Sequence, residues 1–124
     1  MTSDSAAGRD TGGLIAAIDA QDGAAFVSYL TDDAVFRFGS APPVQGRAAV
    51  QEAVEAFFAS IAGLSHSIDR TQGEGNTLFL EGVVTYTRHD DRQVAIPFVD
   101  VFEYEGDKIA EYKIYIDVGP LYAD

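Results

Sequence analysis

Through the first half of this chain, apolar residues recur mainly at helical spacing. From Leu64 onward they alternate with polar ones every second residue. A helical period lines side chains along one stripe, whereas a period of two sends them to opposite faces of a sheet, so this switch divides the chain into a helical part and a sheet part. Leu14, Ile15 and Ile18 mark a first helix, supported by Ala16 and Ala17. Asp22 is a good N-cap for a short second helix carrying Phe26, Val27 and Leu30. A short strand, Val35-Phe36-Arg37-Phe38, closes on the turn-rich Gly39-Ser40-Ala41-Pro42-Pro43. After Gly46, Val50, Ala53, Val54, Phe57, Phe58 and Ile61 define a third helix that stops at Gly63. Four alternating segments follow. The turns between them are Gly73 to Asn76, His89 to Arg92 and Glu105 to Asp107, and the last strand runs from Lys108 to about Val118, before a break at Gly119-Pro120. Helices followed by an antiparallel meander predict an α+β domain, with three N-terminal helices packed on one face of a curved sheet.

The 124 residues are enough for one domain, read as 9–124, with 1–8 as a disordered N-terminal tail. A formal charge of −12 argues against nucleic acid and anionic membranes as partners, since both are held by clustered Lys and Arg. The chain has no cysteine, which removes disulfides, thiolate nucleophiles and Cys-ligated metals. No apolar run approaches a membrane span and no signal pattern opens the sequence, so a cytoplasmic location is the expectation. Two histidines on separate elements give no metal-ligand spacing, and neither metal nor cofactor is expected. Against this background Ile96-Pro97-Phe98-Val99-Asp100-Val101-Phe102 stands out as an apolar strand with a carboxylate at its middle. Burial of such a group raises its pKa or demands a partner, and either outcome suits acid/base chemistry near neutral pH.

Three stretches resemble a known superfold: Thr31-Asp32-Asp33-Ala34-Val35-Phe36, Gly46-Arg47-Ala48-Ala49-Val50, and Val99 through Ile109. They look like the nuclear transport factor 2-like fold and, more narrowly, are similar to SnoaL-like polyketide cyclases, ketosteroid isomerases and limonene epoxide hydrolases. The resemblance implies a strongly curved, mostly antiparallel, cone-shaped sheet wrapped around the helices and one deep apolar pocket. It places Asp100 where the isomerases hold a carboxylic acid and where the cyclases have an acid/base aspartate. The isomerase tyrosine and general base fall on Leu14 and Phe38. The epoxide hydrolase residues fall on Phe36, Phe38, Gly82, Val84 and Ile114, none of which ionises.

Strand parity then gives a pocket wall. With Asp100 inward, Ile96, Phe98 and Phe102 share its face, as do Gly82, Val84 and Tyr86, then Tyr112, Ile114 and Ile116, and finally Leu64, His66 and Ile68. Ile15, Ile18, Phe57 and Ile61 on the helices, with Phe36 and Phe38, complete it. His66, Gly82, Asp100 and Ile114 are expected in one row, with the histidine and aspartate backbones about 10 Å apart across the gap at Gly82. This predicts a His66–Asp100 acid/base dyad with Tyr86 as a nearby hydroxyl donor. The Arg88-His89-Asp90-Asp91-Arg92 cluster reads as a solvated hairpin tip. The outer sheet face carries Phe79, Val83, Val99, Val101 and Tyr115 among Thr85, Lys113 and Asp117, and is expected to pair two copies as a homodimer. The function expected is a cyclase or isomerase without a cofactor, acting on a hydrophobic polyketide- or terpenoid-like molecule. The alternatives are a non-catalytic small-molecule binding module and an epoxide-opening hydrolase or cyclase.

Overall fold

A computed structural model describes residues 9–123; the tail expected over 1–8 lies outside the described residues. Helix α1 (Thr11–Asp19) is capped by Asp10, whose carboxylate accepts from the Gly13 N–H at 2.8 Å, and it buries Leu14, Ile15, Ala17 and Ile18. Asp22 caps α2 (Gly23–Val27) through the Ala25 N–H. That helix ends before Leu30, which instead starts β1 (Leu30–Phe38) and pairs with Ile109. The expected short strand is thus longer. Its first half was hidden because exposed Asp32 and Asp33 and a register irregularity between Leu30 and Val35 break the alternation. Strand β2 (Val44–Gln45) leads into α3 (Arg47–Ala59). Ile61 falls just past this helix, where the Ala62 N–H donates to the Thr87 carbonyl and turns the chain into the sheet.

The meander is β3 (Gly63–Glu74), β4 (Thr77–Thr87), β5 (Gln93–Glu105) and β6 (Lys108–Ile116). The sheet order is β2-β1-β6-β5-β4-β3, with β1 parallel to β6 and the other pairs antiparallel. The helices pack against its inner face. Gly119-Pro120 opens a short helix, α4 (Gly119–Tyr122), with proline in the first turn and Leu121 buried. Arg9 stacks 4.4 Å from the Tyr104 ring centroid and donates to the Gly106 and Gly75 carbonyls and to Asn76 Oδ1, tying the chain to the β3–β4 and β5–β6 turns. Among the described residues no helix is long and apolar enough to cross a membrane.

Inward and outward parity follows the sequence, but the rows do not. Gly82 pairs with Phe98, Asp100 with Leu80 on one side and Ile114 on the other, and His66 with Val84, which pairs in turn with Ile96. The expected His66–Gly82–Asp100–Ile114 row keeps only its last pair. The β4–β5 tip closes with the Arg88 N–H donating to the Arg92 carbonyl and Asp91 at a φ of 70°, which sets Thr87 opposite Gln93. On the other side a two-residue turn and a bulge at Asp69 set the β3–β4 pairing. The bulge itself shifts the register by one residue, but the net offsets at the His66 and Asp100 rows are two residues each, so their facing is conserved while their neighbours change. Ile68, expected to line the pocket, lies beside the bulge on the edge strand and is 37% exposed.

Gly82 has a different use from the one expected. A Cβ built on it would lie 2.1 Å from the Ser67 carbonyl oxygen and 3.1 Å from the Ile68 Cα, so the missing side chain makes room for the β3 backbone, not for a ligand. Gly82→Ala is therefore expected to lower stability by about 1–3 kcal/mol, as overpacking against backbone does. Urea denaturation checks this, and an unchanged midpoint would contradict the close approach.

Candidate active site

Two buried clusters make the core. One joins α1, α2 and α3 to Leu80, Phe102, Tyr104, Ile109 and Tyr112; the other gathers Ile61, Val84, Tyr86, Ile96, Phe98 and Leu121. A cavity of about 220 Å³ takes its walls from both. It reaches solvent where exposed Ala41 and Pro42, in the loop after β1, form part of its lining.

Asp100 lines this cavity from the middle of β5, whose alternation buries Ile96, Phe98, Asp100, Phe102 and Tyr104 in turn. It is 2% exposed. Among the described residues no protein donor reaches its carboxyl, and no buried polar side-chain atom is sealed off without a partner, so the carboxyl opens onto the cavity. Burial alone pushes its pKa well above the ordinary carboxylate range. Tyr86 and Tyr112 line the same space, and burial raises both phenols above their usual range. Both hydroxyls are therefore donors at neutral pH.

His66 also lines the cavity, but its partner is Asp19, the last residue of α1. One Asp19 oxygen lies 2.6 Å from His66 Nδ1, and the other accepts from the His66 backbone N–H at 3.1 Å. The ring stands edge-on to Phe98 with centroids 5.2 Å apart. A carboxylate only accepts, so Nδ1 is the donor to Asp19, and Nε2 has no protein partner among the described residues. The expected His66–Asp100 contact does not form. Their rows are four residues apart along β5, about 13 Å of strand, with the Phe98 row between. The two groups face one cavity from different places.

Of the wall read from the sequence, Ile18, Phe36, Phe38, Phe57, Val84, Phe98, Tyr112, Ile114 and Ile116 come together around the cavity. Others do not reach it. Ile15 packs within the helical cluster, Ile61 and Ile96 within the second cluster, and Phe102 lies behind Tyr112 with ring centroids 4.5 Å apart. Gly82 faces β3. Phe26, Val54, Phe58, the loop residues Ala41 and Pro42, and Val44 of β2 are lining that parity missed, since they lie outside the meander. Asp19 is the main omission, and its signal was present: it follows Ile15 by four residues and so sets a carboxylate on the apolar stripe of α1. Among the described residues no group of three or more His, Cys, Asp or Glu is placed to hold a metal.

The model of the SnoaL-like domain family matches residues 12–112. No curated protein matches. Solved structures share the fold at low identity. An NTF2-like protein from Anabaena variabilis is 20% identical over 94% of this chain and 92% of its own, with a TM-score of 0.82. A putative SnoaL-like polyketide cyclase from Shewanella denitrificans is 15% identical over 90% of each chain, with a TM-score of 0.78. An LEH-like epoxide hydrolase from M. tuberculosis is 19% identical over 89% of this chain and 81% of its own, with a TM-score of 0.76.

Proposed function

The chain belongs to the SnoaL-like domain family, and from that premise we propose that it is an acid/base cyclase or isomerase acting on a hydrophobic small molecule in the cavity. The observation that carries this reading is the Asp19–His66 pair. A carboxylate that clamps both the ring and the backbone of a histidine fixes its tautomer and balances the charge it acquires as a base. His66 Nε2 would take a proton from carbon at one side of the substrate. The Asp100 carboxyl, held in its acid form, would donate a hydrogen bond to the oxygen on which charge develops, with Tyr86 and Tyr112 as further donors. A buried carboxyl kept neutral so that it can donate is a known device in the related ketosteroid isomerases. The surrounding aromatic wall, Phe26, Phe36, Phe38, Phe57 and Phe98, excludes water and strengthens these interactions. The catalytic set becomes His66 and Asp100 with Asp19 as the positioning residue.

Deuterium wash-in tests this without knowledge of the natural substrate. With β-tetralone as a neutral carbon acid in deuterated buffer, the protein is expected to accelerate exchange at the carbon next to the carbonyl, read by proton NMR. Binding without acceleration would favour a non-catalytic binding module.

On the outer sheet face Phe79 and Tyr115 are 43% and 58% exposed, beside half-buried Val83, Val99 and Val101. This apolar face is read as the surface on which a second copy packs. Sedimentation equilibrium at micromolar concentration is expected to give twice the 13.3 kDa chain mass, and a monomer would contradict it.

A further inference from the structure

The cavity wall bears on what the substrate is. It holds a carboxyl (Asp100), a histidine already matched by its own carboxylate (His66 with Asp19), two phenols and otherwise apolar side chains. Among the described residues no lysine or arginine lines it. A ligand carboxylate or phosphate drawn into it would lose its hydration and find no unmatched positive charge, since any charge on His66 is balanced by Asp19. The chain as a whole carries a formal charge of −12, so long-range attraction works against anions too. Size sets a second limit. A dry cavity of about 150 Å³ accommodates one benzene molecule, and this one measures about 220 Å³.

We infer that the site takes a free, one- or two-ring molecule that bears no negative charge, and that it rejects carboxylates, phosphates and substrates still tethered to a phosphate-bearing carrier. This rests on the cavity being the reaction site. It also bears on the place of the reaction: a step that releases the substrate from any acidic carrier must come first.

Calorimetric titration of the wild-type protein near neutral pH tests this with probes of matched shape. β-Naphthol is expected to bind at least tenfold more tightly than β-naphthoate, and progesterone, an uncharged four-ring ketone, more weakly than β-naphthol. The same order is expected in the His66→Ala variant, because discrimination does not require the base. β-Naphthoate binding as tightly as β-naphthol, or no binding of β-naphthol, would overturn the charge rule, and tighter binding of progesterone would overturn the size limit. Either failure is separable from the proton-transfer reading. Wild-type protein that exchanges deuterium into β-tetralone but also welcomes β-naphthoate keeps the chemistry and loses the selectivity.

Discussion

His66→Ala is expected to slow deuterium exchange into β-tetralone by about 10²–10⁴-fold, the range associated with a positioned general base. The loss should fall on the rate at saturation, with the concentration giving half-maximal rate little changed, because the imidazole acts on the reacting proton and contributes little to an otherwise apolar grip. Asp19→Asn is the sharper experiment. The amide can still accept from one position, but it no longer balances an imidazolium and can reverse the tautomer, a change that costs up to about 10⁴-fold where a carboxylate backs a catalytic histidine. A merely structural Asp19–His66 contact would instead lower the melting temperature in both variants and leave exchange in proportion to the folded fraction. Equal exchange in wild type and both variants would dismiss the pair as a catalyst.

Asp100→Asn is expected to reverse the usual outcome of a core polar substitution by raising stability at alkaline pH. Burial raises the Asp100 pKa, so the folded chain retains this proton to higher pH than the unfolded chain does. Its favourable contribution is complete below the ordinary aspartate range. It declines by about 1.4 kcal/mol per pH unit as pH rises, until the carboxyl ionises in the folded protein. Asparagine has no such slope. Denaturant midpoints compared at about pH 5 and about pH 8 should therefore show the variant gaining on the wild type as pH increases. The same variant should lose exchange activity, since an amide is a weaker donor to a developing oxyanion than a carboxylic acid. A wild type that gains on the variant with pH would mean that the ionised carboxylate has a partner, and would remove Asp100 as the acid.

How far the sequence could be read depended on which physical signal each feature left. The helices and the meander were legible because burial on one side imposes a period, and the period also gave correct facing along β4, β5 and β6. Register was not legible. It depends on the left-handed residue Asp91 at one tip and the bulge at Asp69 on the far strand, neither of which alters alternation in the strands between. The offsets at the His66 and Asp100 rows are two residues each, so the two side chains share one face of the sheet but not one row. Asp100 was found because it interrupts an apolar strand. Asp19 interrupts an apolar helical stripe in the same way, but at a helix end, where a carboxylate has the bland alternative of facing water. Gly82 showed that an absent side chain in a sheet can serve a neighbouring backbone as readily as a ligand.

The Asp69 bulge that demands this glycine also has a bearing on the solubility of the fold. Strand β3 is one free edge of the sheet, and it spans Gly63–Glu74, long enough to recruit a strand from another molecule. The opposite edge, Val44–Gln45, is too short to do so. Near the middle of β3 the bulge interrupts the regular ladder of backbone donors and acceptors and brings the charged Asp69 and Arg70 to the exposed edge. One irregularity thus sets which residues face each other across the sheet and discourages aggregation through its longest open border.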